Sequence, residues 1–175
     1  MQVLAISGSL RAASSNTILL NAAAALAPED VEVILYRGLS DLPHFNPDLD
    51  NGAAPPAVKQ FRSQLHDSAG VIISCPEYAH GVPGALKNAL DWIVRSGELY
   101  EKPVALFNSS PRASHAQASL IETLTVMMAR VISEAGVSVP LIGKDFDVEW
   151  IVSEAELSSA LRSAVEAFAR SIRRL

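Results

Sequence analysis

The stretch Gly70 to Ser74 (GVIIS) is apolar without alternation and runs straight into a polar, proline-bearing segment. A strand exposed on one face alternates, so a continuous run of this length fits a central strand covered on both faces, as in parallel sheets. Three further short runs, Val3 to Ser7, Val31 to Tyr36 and Val104 to Asn108, each lead toward a segment of helical spacing. This alternation argues for βαβ units.

The helical segments follow the same logic. Ile18, Ala22 and Leu26 recur at spacings of four before Pro28. After the polar loop Arg37 to Ala54, Pro55 and Pro56 open a helix with Val58, Phe61 and Leu65 as its buried stripe. Leu120, Leu124, Met127 and Val131 predict a long helix closed by Gly136. A short fifth strand is expected over Ser138 to Ile142, then an acidic loop from Gly143 to Trp150. A terminal helix follows, carrying Leu157, Leu161, Val165, Phe168 and Ile172 on one side. Right-handed crossovers place helices on both faces of the sheet. The expected architecture is an α/β three-layer sandwich, flavodoxin-like, with a five-stranded parallel sheet of order 2-1-3-4-5. Residues 1–175 form one domain in this reading. Ligands of such sheets bind beyond the carboxyl ends of the strands at the switch point, here between strands one and three.

Charge and composition narrow the partners. The 19 acidic residues outnumber the 14 basic ones, and the basic ones are scattered, so no footprint for nucleic acid or an anionic membrane is formed. No apolar run is long enough to span a bilayer, and MQVLAIS shows no basic n-region, so no secretory signal is expected. The single Cys75 forms no internal disulfide and fits a reducing, cytoplasmic setting.

The loop after the first strand, Ser7 to Thr17, is dense in hydroxyls. It enters a helix whose first-turn N–H groups and positive dipole end suit an anion. Ser9, Ser14, Ser15, Asn16 and Thr17 offer side-chain donors and Arg11 a positive charge, more than one helix cap requires. The spacing is neither the dinucleotide Gly-x-Gly-x-x-Gly nor a Walker loop, so a terminal monophosphate suits it best. The alternative is a plain capping role for Ser15 or Asn16.

The loop after the third strand, Cys75 to Gly84 (CPEYAHGVPG), has its backbone course fixed by two prolines and two glycines. Such a rigid loop can present main-chain groups to a planar heteroaromatic ring, with Tyr78 or His80 covering an edge or face.

Pro76-Glu77-Tyr78, then Pro83-Gly84-Ala85-Leu86-Lys87-Asn88-Ala89-Leu90-Asp91-Trp92, together with Gly8-Ser9-Leu10-Arg11 and the Ser-Asn-Thr helix start, resemble the NADPH-dependent FMN reductase family. That family also includes quinone, chromate and azo-dye reductases. The resemblance covers nearly the whole chain. It implies FMN as cofactor, NADPH or NADH as reductant, a small-molecule electron acceptor, and a homodimer or homotetramer. By position, Ser9, Arg11, Ser15, Asn16 and Thr17 would hold the phosphate, and Pro76, Glu77, Tyr78 and Gly81 would meet the ribityl chain and ring. Many relatives have Asn after the Glu-Tyr pair; here Ala79 and then His80 take that place beside the cofactor. The loop Asn108 to His115 lacks the glycines common in relatives, and Ser110 or Arg112 would border the ring.

Along Ala85 to Val94, Leu86, Leu90 and Ile93 form one apolar stripe and Ala85, Ala89 and Trp92 a second, which predicts a partner subunit on helix 85–94, the alternative being a helix sunk deep between its neighbours in the chain. Glu77 has no visible carboxylate partner, so a structural hydrogen bond is expected of it rather than acid catalysis. His80 is a candidate for the substrate slot, against a plain solvated histidine. Cys75 reads as a small buried residue. His44, His66 and His115 show no metal-ligand spacing, and no serine sits in a Gly-x-Ser-x-Gly elbow. The leading reading is an oxidoreductase in which flavin carries the chemistry. The alternatives are an electron-carrier module without nicotinamide activity, and a regulatory protein that has lost its cofactor.

Overall fold

The computed structural model describes residues 1–141 and 146–175. In chain order the elements are β1 (Gln2–Ser7), α1 (Ser15–Ala25), β2 (Glu32–Leu35), α2 (Pro56–Asp67), β3 (Gly70–Ser74) and α3 (Gly84–Val94). There follow β4 (Pro103–Asn108), α4 (Ser114–Val126), β5 (Arg130–Val131), β6 (Val137–Ser138), α5 (Val148–Ser153) and α6 (Ala155–Arg173). The strands pair in the order β2-β1-β3-β4-β5, all parallel, with β6 also on β4. This is the flavodoxin-like sheet expected from the alternation.

Alternate strand residues feed two separate cores. Leu4, Ile6, Val71, Ile73, Val104 and Leu106 face α2, α3 and α4, and bury Phe61, Leu86, Trp92 and Leu120. Val3, Ala5, Ile72, Ala105 and Phe107 face α1, α5 and α6, with Leu19, Leu20, Ile151, Leu161 and Phe168. Two cores on opposite faces of one sheet make the three-layer sandwich. Ser7 lies level with Ser74, and Ser74 with Phe107, so β1, β3 and β4 end flush and their following loops emerge side by side.

Three expectations are corrected. The helix carrying Leu120 and Leu124 ends at Val126; Val131 lies in β5, and Gly136 follows a 3-10 turn at Ser133–Ala135. The fifth strand therefore begins at Arg130, not Ser138, and is broken: β5 pairs with Pro103 and Val104, the 3-10 turn interrupts it, and β6 resumes opposite Phe107 and Asn108. The expected end of that strand at Ile142, and the start of the acidic loop, lie outside the described residues.

The third correction concerns helix 85–94. Trp92 and Ala89 of its second stripe are already buried within the chain, at 0% and 1% exposure. The cover is the loop before α2. Trp92 Nε1 donates to the Pro43 carbonyl (2.7 Å), Asn88 Nδ2 donates to the same oxygen (3.0 Å), and Phe45 packs edge-on against the indole at 5.1 Å. Arg62 ties the loop further by its ion pair with the buried Asp50 (2.9 Å) and its hydrogen bonds to the Trp92 carbonyl. The second stripe thus gives no ground for a partner subunit on this helix. Among the described residues, no helix is long and apolar enough to cross a membrane.

Candidate active site

Three loops meet above the carboxyl ends of β1, β3 and β4. The approach is close: Gly8 N donates to Ser74 O (2.8 Å), and a Cβ at Gly8 would lie 3.1 Å from Pro76 Cδ and 3.0 Å from Leu86 Cδ2. A side chain at Gly8 would have to push Leu86 and Pro76 aside by a few tenths of an ångström, so glycine suits the close approach of the first loop to α3 and the third loop.

The junction is polar and buried. Asn16, 4% exposed in the first turn of α1, accepts through Oδ1 from Ser74 Oγ (2.8 Å) and Ser109 Oγ (3.1 Å). One side chain of α1 thus ties the end of β3 to the residue that follows β4. With its carbonyl oxygen engaged twice, what the Asn16 amide has left to offer is N–H. Ser15 Oγ lies 3.2 Å from Ser109 Oγ. Ser14 occupies the N-cap of α1 with extended backbone but makes no side-chain cap hydrogen bond. The plain capping role for Ser15 or Asn16 therefore does not hold: both lie inside the first turn of α1, with their side chains turned to Ser109 and Ser74.

A cleft of about 250 Å³ opens here, lined by Ser15, Asn16, Pro76, Glu77, Ser110 and Arg112 among others. Ser9 and Thr17 face elsewhere. They border a second hollow of about 170 Å³ toward β2, with Tyr36, Arg37 and Ser40, where Thr17 Oγ1 donates to Ser7 Oγ (2.8 Å). Ser9 is linked back to the third loop, its Oγ lying 3.3 Å from the Tyr78 hydroxyl. Arg11 is exposed.

The third loop is a tight hairpin. Tyr78 and Gly81 exchange backbone hydrogen bonds (3.2 and 3.0 Å), and the two residues between them, Ala79 and His80, have φ of 49° and 60°. Positive φ at both central positions is a turn that favours Asn-Gly, so Ala-His is held there against local preference. Below the hairpin, Glu77 Oε2 accepts from Ala116 N (2.9 Å), supplying α4 with the cap that Ala113 cannot. Glu77 has the structural hydrogen bond expected of it. The His80 ring stacks on His115 of α4, centroids 4.3 Å apart and planes 19° from parallel.

Electrostatics separate the groups further. Burial first, and the Glu77 carboxylate second, push the Cys75 thiol up to about 12, so it is a neutral wall of the cleft and no nucleophile. Tyr36 is likewise pushed up to about 12 by burial and Asp41. Among the described residues no group of three or more His, Cys, Asp and Glu side chains could hold a metal ion.

Sequence reasoning did not assign Ser74, Asn108, Ser109 or His115 to the site. The first three carried a signal: polar residues at the ends of otherwise apolar strands, level with the phosphate-type loop. Asn108 Oδ1 accepts from Ser110 N (2.9 Å) while its Nδ2 donates to Gln117 (2.8 Å), which shapes the loop without glycines. His115 carried no signal, because only the fold brings it to His80.

The sequence profile of the NADPH-dependent FMN reductases matches residues 1–143. The chain belongs to this family. An NAD(P)H-dependent FMN reductase of Pseudomonas aeruginosa is 30% identical over the whole chain and 97% of its own length. An NADPH:quinone oxidoreductase of Arabidopsis thaliana is 41% identical over 62% of the chain and 58% of its own length. Among solved structures, a flavoenzyme NAD(P)H:(acceptor) oxidoreductase of Paracoccus denitrificans superposes with a TM-score of 0.79 at 29% identity, covering 99% of this chain and 97% of that one. A flavodoxin of Bacillus cereus (TM-score 0.62, 22% identity, 95% and 98% coverage) shares the fold. The FMN reductase family is one of oxidoreductases, with FMN and a nicotinamide as its cofactors.

Proposed function

We propose that the protein is a cytoplasmic FMN-dependent NAD(P)H oxidoreductase that holds FMN across the three-loop junction and passes electrons to a small-molecule acceptor: a quinone, a free flavin, an azo compound or a metal oxyanion. The observation that carries this reading is the α1 N-terminus, whose N-cap serine forms no cap and whose first turn opens on a cleft lined by Ser15 and Asn16. Donors without a competing carboxylate suit a phosphate; Glu77, the acid in the cleft wall, is engaged by the Ala116 amide. The residues present therefore fit the cofactor.

In this assignment Ser14, Ser15 and Asn16 ring the phosphate at the helix end, the exposed Arg11 adds a positive charge, and Ser9 and Thr17 brace the loop from the β2 side. Pro76 to Gly81 form the bed for the ribityl chain and ring, and Ser110 borders the ring from the loop after β4. Bound FMN supplies the two-electron exchange between nicotinamide and acceptor. The chain contributes placement and hydrogen bonds, and a neutral Cys75 that offers the ring no competing thiolate.

The deciding experiment is the visible absorption spectrum of the purified protein, reconstituted with FMN, before and after anaerobic NADPH. A flavin spectrum that bleaches on NADPH addition is expected. Arg11→Ala should lower FMN retention by about tenfold, the loss of one charge-assisted contact. A protein that takes up no FMN, or holds it unbleached, overturns the assignment.

A further inference from the structure

The hairpin after β3 places an imidazole where the turn itself has no use for one. His80 sits at φ 60° beside Ala79 at 49°, and such backbone persists only where its surroundings enforce it. Two contacts do so: His80 lies on the His115 ring, and the stem below is pinned by the Glu77 bond to Ala116 N. Both imidazoles are exposed and neither lines the cleft itself; His80 is on the hairpin that carries the cleft residues Pro76 and Glu77, and His115 is two residues after Ala113 of the cleft wall. The His80 ring is thus held by a stacked partner and open to solvent.

We infer that His80 is the proton donor to a quinone acceptor, and that His115 is the positioning residue that fixes the His80 ring. The inference rests on the function proposed above and names its acceptor class. Reducing a quinone to a hydroquinone takes two electrons and two protons. A hydride from NAD(P)H brings both electrons and one proton; the other must reach a quinone oxygen from an acid. His80 gives its N–H proton to that oxygen and takes a replacement from solvent. The balance is quinone plus NAD(P)H plus one proton, giving hydroquinone plus NAD(P)⁺. Histidine suits this because its charge changes near neutral pH. The ionisable groups around the pair are few. Glu77 is engaged by the Ala116 amide, the Tyr78 hydroxyl contacts Ser9, Arg112 is exposed on the same rim, and Glu122 comes two turns further along α4.

The test compares a benzoquinone with ferricyanide, which accepts single electrons and no proton, using the FMN-loaded enzyme and NADPH. In His80→Asn the turn is kept, because asparagine tolerates positive φ. Its quinone kcat should fall on the order of 10²-fold further than its ferricyanide rate does. His115→Phe, which can still stack, should keep most of the quinone rate, whereas His115→Ala should lose it nearly as His80→Asn does. Equal losses with both acceptors, or an unchanged quinone rate in His80→Asn, overturn the inference. A wild type active with ferricyanide but inert with quinone overturns it alone. A wild type inert with both overturns the functional reading beneath it.

Discussion

Asn16 shows how much can rest on one side chain. Its carbonyl oxygen holds Ser74 and Ser109, so the end of β3 and the loop after β4 share one acceptor, supplied by α1, in the wall of the cleft. Cys75, the next residue after Ser74, makes a different point, because its environment sets its chemistry. Burial and the nearby Glu77 raise its folded pKa from near 9 to about 12, and Tyr36 rises from 10 to about 12. In both cases the neutral form is favoured in the folded state, and the unfolded chain gives up these protons first as pH rises. Their contribution to stability is complete below about pH 9 and is lost progressively toward pH 12. Urea midpoints should therefore decline over that alkaline window, and Cys75→Ser should decline less steeply; equal slopes would contradict the assigned burial effect. Cys75 was readable in the sequence as a small buried residue, since no cysteine partner and no basic neighbour stand near it. The Asn16 junction was readable only as a cluster of donors, because which loops share an acceptor depends on strand register.

At the scale of elements, the end of α4 shows where sequence periodicity misleads. Leu124, Met127 and Val131 keep helical spacing, yet the helix closes in a Schellman motif: Ala129 N donates to Leu124 O (2.9 Å) and Met128 N to Thr125 O (2.9 Å). The residue in the left-handed position is Met128, φ 57°, where glycine is usual, so the customary stop signal is missing. Met128 is 61% exposed, so its side chain contributes little packing. Met128→Gly should accordingly stabilise the fold by about 0.5–1 kcal/mol, a rise in Tm of roughly 1–4 °C by calorimetry. No change, or a fall, would mean that the left-handed turn carries no strain. The two stripes of α3 misled in another way. Periodicity shows that Trp92 must be covered; it does not show that the cover is the loop from Pro43 onward rather than a second subunit. Elements with one unambiguous signal, such as β3 and α2, were legible almost to the residue.

For the whole molecule, the phosphate assignment faces an unfavourable long-range field, since the chain carries a net charge of −5. A phosphate dianion is attracted to such a protein only by local donors, and the α1 N-terminus and Arg11 are the ones at hand. Because the cleft joins loops from β1, β3 and β4, a ligand that bridges them binds the folded chain and not the unfolded one. FMN at about a hundred times its Kd should then add about 2.7 kcal/mol, a rise in Tm on the order of 5–10 °C for a chain of this size. Riboflavin carries the same ring and ribityl chain without the phosphate. If the first loop is the phosphate cradle, riboflavin at the same concentration should raise Tm by about 2 °C or less, and Arg11→Ala should bring the FMN shift down toward the riboflavin one. Equal shifts for FMN and riboflavin in the wild type would place the binding energy in the hairpin bed alone. The serine-rich entry to α1 would then be only a way to start a helix.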